Sequence, residues 1–207
     1  MEDILEVYQR PYDPLRPVIC YDERPCVLIG ETICPLPIDK GKVKKEDYHF
    51  ERNGTANLLV AYEPKTGWRH VRVTKHRAFG DYASFQKELA EVYYPHAIEI
   101  VLVQDNLSTH SPSAFYASFS AEEAKQLTEK FEMHNTPTNG SWLNMVEIEL
   151  SAISRACLKR RIPDIETLET EVMACVKRRN SKRIKVDWQF TVNSARDKFH
   201  RFYPHNS

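Results

Sequence analysis

The order of apolar patterns along this chain predicts an α/β fold with a mixed β-sheet. Three observations carry the prediction. Strand-like runs come first and in pairs, an isolated apolar run VLVQ stands between helical patterns, and after residue 135 only helical patterns remain. Regular βαβ alternation is therefore excluded. With 207 residues and 42% apolar content, the chain fits one domain, residues 1–207, with a substantial buried core.

Each element has a local reason. Residues 2–9 read as a short amphipathic helix, ended by Pro11 and Pro14. Residues 17–22 and 26–32 read as two strands separated by the turn-like Glu23-Arg24-Pro25. Residues 33–48, rich in proline and lysine, read as an exposed loop. Asn53-Gly54 is expected to open the strand NLLVAYEP, and Thr66-Gly67 to turn it back into WRHVRVT. There Val71 and Val73 alternate with polar residues, as a half-buried strand requires. A helical pattern through Tyr82, Phe85, Leu89 and Val92 ends at Pro95, and residues 97–104 form the next strand. Ser111-Pro112 and Ser120-Ala121-Glu122-Glu123 read as helix starts. A short strand at 131–135 and a loop at 136–140 precede a helix expected over 141–160, with Ser141 as its N-cap. Pro163-Asp164 opens a polar helix to about residue 180, and the tail reads as a short strand or loop and then a terminal helix.

Composition narrows the function. No run approaches the ~18 apolar residues of a membrane helix, and the acidic start MEDILEVYQR is no signal peptide. The expected compartment is the cytoplasm, beside the bacterial nucleoid, with no membrane partner. The formal net charge is zero, but lysines and arginines cluster at Lys40–Lys45, at Lys159, Arg160 and Arg161, and around Lys177, Arg178 and Arg179. Such clusters either track phosphates or are solvated helix faces. Five cysteines without a CxxC pair read as reduced thiols rather than a zinc site or disulfide framework. Neither GxSxG nor HExxH occurs, so serine and zinc hydrolases have no support.

Carboxylates offer a consistent chemistry. VLVQ delivers Asp105 to the end of a strand that should be buried, where an unpaired carboxylate is costly. The run PVICY delivers Asp22 in the same way, although a lone Asp after a strand is often a turn residue. If the two strands are parallel neighbours, both side chains reach one sheet edge. Glu147 and Glu149 follow TPTNGSWLNMV, but two helical residues subtend about 200° and cannot both face that edge. Helical periodicity does not choose between them. Carboxylates converging on two divalent ions about 3.5–4 Å apart are the requirement of two-metal phosphoryl transfer. His110 could orient a ligand or serve as a structural hydrogen-bonder, Trp142 at a helix start reads as core, and Glu23 as a structural residue on the opposite strand face.

RPVICYDERP, RNGTANLLVAYEPKTGWRHVRVT, VLVQDNLSTH, TPTNGSWLNMVEIELSAISRACLKRRI and VDWQFTVNSARDKFHRFYP, taken in order, resemble the catalytic domain of IS630-family insertion-sequence transposases, relatives of the Tc1/mariner elements. The resemblance spans nearly the whole chain. It implies a ribonuclease H-like fold with a DDE triad: Asp22, Asp105 and Glu147 as catalytic residues and ligands of two Mg2+ or Mn2+ ions. Asn106 and His110 match the DN…H motif, and Leu143, Asn144 and Glu147 match LNxxE, which selects Glu147 over Glu149 and leaves Asn106, His110 and Asn144 as supporting residues.

What the resemblance implies for activity is DNA cleavage at element ends and strand transfer into target DNA. Lys159, Arg160, Arg161, Lys177, Arg178 and Arg179 would hold DNA phosphates, with a homodimer as a further partner. Family members carry helix-turn-helix modules ahead of the catalytic domain, and none precedes Asp22 here. The expectation is a truncated or frameshifted product, or one of two reading frames whose partner supplies that module. The competing readings are a non-catalytic DNA-binding or assembly remnant and a ribonuclease H-like nuclease.

Overall fold

The computed structural model describes residues 1–31 and 50–200. The expected loop at 33–48, its lysine cluster and Cys34 lie outside the described residues. Five strands form one sheet in the order β3-β2-β1-β4-β5: β1 Val18–Glu31, β2 Phe50–Glu63, β3 Trp68–Thr74, β4 Ile100–Gln104 and β5 Phe131–Asn135. β1 pairs antiparallel with β2 but parallel with β4, so the sheet is mixed, as expected.

Helices cover both faces. α1 (Glu2–Gln9), α5 (Val146–Cys157), α6 (Ile165–Ser181) and α7 (Val192–Phe199) bury one apolar cluster with Cys20, Leu58, Val60 and Val103. α2 (Phe79–Glu88, extended by a π-helical turn Leu89–Tyr93), α3 (Pro112–Ser118) and α4 (Ala121–Lys130) bury a second with Ile19, Tyr21, Leu59 and Leu102. β2 is covered on both sides, which explains its uninterrupted run NLLVAY. Two of the helix starts that the sequence suggests carry side-chain caps. Ser120 Oγ accepts from Glu123 N at 3.3 Å, and Asp164 Oδ1 accepts from Thr167 N at 2.7 Å. Among the described residues no helix is long and apolar enough to cross a membrane.

Four local expectations are corrected. The two strands expected at 17–22 and 26–32 are one continuous strand, with Pro25 opposite Asn57. β4 pairs with β1 only over Val18–Cys20, so among the described residues the stretch around Pro25 has no strand neighbour on that side, the kind of edge on which proline is tolerated. Asn53-Gly54 does not open β2 but lies within it. Val27 faces Thr55 and Ile29 faces Arg52, so Leu28 opposes two residues, a bulge that Gly54 accommodates at φ 103°. The helix expected from Ser141 begins five residues later at Val146; residues Ser141–Leu143 form a separate 3-10 turn. Trp142, expected in the core, is 46% exposed on that turn, against Phe190 and Phe199.

Candidate active site

The parallel pairing of β1 and β4 matches Val18 with Val101, Ile19 with Leu102 and Cys20 with Val103. Continued two residues, the same register sets Asp22 beside Asp105. Cys20 and Val103 point into the cluster beneath α5, and Asp22 and Asp105 follow each by two residues, the period of one strand face. Asp22 is not at a strand end, since β1 runs on to Glu31. It is β4 that stops, at Gln104, leaving Asp22 inside a strand but beside an open edge.

Glu147 arrives from α5. Asn144 is fully buried, and its Nδ2 donates to the carbonyl of Tyr21 at 2.8 Å, one residue before Asp22. Its own carbonyl accepts from Glu147 N at 3.1 Å, so the first turn of α5 is tied to the strand that carries Asp22. Tyr8 adds a second tie, donating from its hydroxyl to the Leu143 carbonyl at 2.9 Å.

The charges register this convergence. Burial pushes the Asp22 carboxyl up, Asp105 and Glu147 push it further, and the Glu23 N–H and His110 only partly offset them, leaving it at about 7. His110 Nδ1 forms a close ion pair with Asp105 Oδ1, and His110 Nε2 lies 3.3 Å from Glu23 Oε1. Burial disfavours the imidazolium, but the two carboxylates outweigh it and raise His110 to about 9. Asp105 moves the other way: burial raises it, and His110 more than compensates, lowering it. Asn106 is exposed just past Asp105.

Glu149 goes elsewhere. It is 1% exposed and accepts both Nε and Nη2 of Arg179, at 2.6 and 2.8 Å, with Arg69 Nε at 2.9 Å. Arg179 is thus engaged inside the fold rather than presented on its surface like Lys177 and Arg178. Lys159 and Arg160 are exposed, Arg160 pairing with Glu171, while Arg161 lies over the ring of Phe50. The buried Arg69 was not singled out from sequence; its place on the same face of β3 as Val71 was the available signal.

Among the described residues, no three His, Cys, Asp or Glu side chains stand close enough together to hold a metal as placed. The donor set nevertheless fits a hard divalent cation in kind, because it is all carboxylate. Asp22, buried beside two further carboxylates, is the group whose ionisation such a cation would favour.

Residues 17–169 match the family model of the DDE superfamily endonucleases. The chain belongs to that family. Its Asp22, Asp105 and Glu147 all fall within the matched DDE segment. No curated protein matches the chain. Among solved structures, this DDE chain is similar in fold to the Mos1 mariner paired-end complex with Mn, at TM-score 0.58 and 14% identity over 88% of this chain and 54% of that one. It is likewise similar to a pre-cleavage Mos1 transpososome, at 0.54 and 13%, over 88% and 58%. A simian T-cell lymphotropic virus intasome in complex with a PP2A regulatory subunit gives 0.50 and 14%, over 93% and 57%. The mixed sheet flanked by helices is therefore the ribonuclease H-like architecture of that transposase. The chain spans a little over half the length of these solved proteins.

Proposed function

We propose that the chain is the catalytic domain, residues 1–207, of an IS630-type insertion-sequence transposase, which cuts DNA at element ends and joins the freed end to target DNA. The observation that supports this best is the parallel pairing of β1 with β4, whose register runs on toward Asp22 and Asp105, with Glu147 tied to the same strand through Asn144. Asp22, Asp105 and Glu147 hold two Mg2+ or Mn2+ ions. When bound, such ions supply activation of water or a 3′-hydroxyl and stabilisation of the leaving oxygen.

The chain's own residues do the rest. His110 fixes the orientation of Asp105, and Asn144 fixes the start of α5 against β1. Lys159, Arg160, Lys177 and Arg178 are exposed cations suited to backbone phosphates, with Arg161 beside them. End recognition belongs to a helix-turn-helix module, and pairing of two ends to a homodimer, acting on DNA in the bacterial cytoplasm.

The test uses the purified chain and supercoiled plasmid in Mg2+ or Mn2+. Nicking is expected, and Asp105→Asn or Glu147→Gln is expected to abolish it while the folded structure, read by circular dichroism, and DNA affinity hold. Full activity in either variant sinks the assignment. DNA binding without nicking by the parent would instead favour a non-catalytic remnant, and preferential cleavage of RNA–DNA hybrids a ribonuclease.

A further inference from the structure

Glu23 is a buried carboxylate with no part in the triad, and its surroundings are too specific for a strand filler. Its side chain is 3% exposed. Tyr21 OH donates to its Oε1 at 2.8 Å, His110 Nε2 approaches the same oxygen at 3.3 Å, and Arg77 Nε lies 3.3 Å from Oε2. Its neighbour His110 is 2% exposed and wedged between two rings, Tyr21 edge-on at 5.2 Å and Tyr82 stacked at 5.0 Å. Gln104 Nε2 donates to the His110 carbonyl at 3.0 Å and Tyr82 OH donates to Gln104 Oε1 at 2.9 Å, so the loop is pinned at both ends. Each imidazole nitrogen then faces one carboxylate: Nε2 faces Glu23 and Nδ1 faces Asp105.

We propose that Glu23 is a positioning residue of the active site, which through His110 holds Asp105 in its cation-binding orientation. The inference rests on the reading of Asp105 as a metal ligand. Glu23 lies on the α2 side of β1 with Tyr21, and Asp22 on the α5 side, so adjacent residues serve the site from opposite faces of one strand. His110 is the partner one bond removed from Asp105, and loss of such a partner typically costs about 10–100-fold in metal affinity, a loss that Glu23 shares only through His110. A filler role would lower stability and leave that affinity alone.

The experiment measures Mn2+ affinity of the DNA-free chain by titration calorimetry, with melting in EDTA alongside. The variants are Glu23→Gln, which keeps the shape, Glu23→Ala, His110→Asn, the Glu23→Gln/His110→Asn double variant, and Asp105→Asn. His110→Asn should weaken Mn2+ binding about 10–100-fold, and Glu23→Gln and then Glu23→Ala should weaken it progressively, by no more than His110→Asn does. The double variant should bind no more weakly than His110→Asn alone, because both act through one residue. Wild-type affinity in Glu23→Gln, or additive losses in the double variant, overturns the proposal while a lost site in Asp105→Asn keeps the metal reading. Undiminished binding in Asp105→Asn, or no binding by the parent, overturns the metal reading and the proposal with it.

Discussion

Asp22 is held in the folded chain with its carboxyl at about 7, by burial and by the neighbouring Asp105 and Glu147. A folded-state value raised from 3.8 contributes stability that is full below about 3.8 and lost as pH rises through about 7. Asp22→Asn removes the ionisation, so in EDTA at pH 8 it should melt above the parent. An increase of about 4–8 °C corresponds to roughly 2 kcal/mol in a domain of this size. At pH 4 the gap should close. Equal melting at both values would show that the carboxyl is not crowded. At this scale the sequence was informative about Asp22 and Asp105, whose apolar strands announce them. It left Glu23 as a structural residue, because alternation places it on the far face but cannot show that a loop folds back to meet it there.

Helix α5 divides two acidic residues between two tasks. Glu147 lies half-buried in the first turn, whereas Glu149 is buried between Arg69 of β3 and Arg179 of α6. Removing one member of such a network leaves uncompensated charge in a low-dielectric place, which costs about 3–5 kcal/mol. Glu149→Ala leaves two guanidiniums facing each other and should lose that much in urea unfolding, while Glu147→Gln should lose under about 1 kcal/mol. Equal losses would contradict the division. Helical rotation indicated that the two glutamates must part, but not which one faced the strands. The buried Arg69 and the Asn144–Tyr21 hydrogen bond decided that; strand alternation puts Arg69 on the face of Val71 but does not show that it meets Glu149 there. The same asparagine explains why α5 starts at Val146 rather than Ser141: its side chain is engaged with β1 and its backbone is extended.

Across the whole molecule, the sheet separates two apolar layers and brings the end of β4 beside the interior of β1 under one helix. The basic residues do not act as one set in this arrangement. Lys177 and Arg178 are exposed on α6, but Arg179 pairs with Glu149. Lys177→Ala and Arg178→Ala should therefore weaken DNA binding to similar extents on any sequence. Each should also reduce the slope of log K against log salt by about 0.9. An unchanged slope would remove these residues from the DNA contact.

The sequence by itself determined most of the elements, though not the single span of β1 or the starts of β2 and α5, because strand and helix periods are local and turn and cap residues punctuate them. It also pointed to carboxylates as the residues to examine, because a carboxylate delivered by an apolar run needs a cation or a partner. Only the tertiary structure decided the register that sets Asp22 beside Asp105, the choice of α5 face, and the joining of Glu23 to Asp105 through His110. Those are contacts between residues some 80 to 120 positions apart, made by backbone pairing and buried hydrogen bonds whose partners no local pattern specifies.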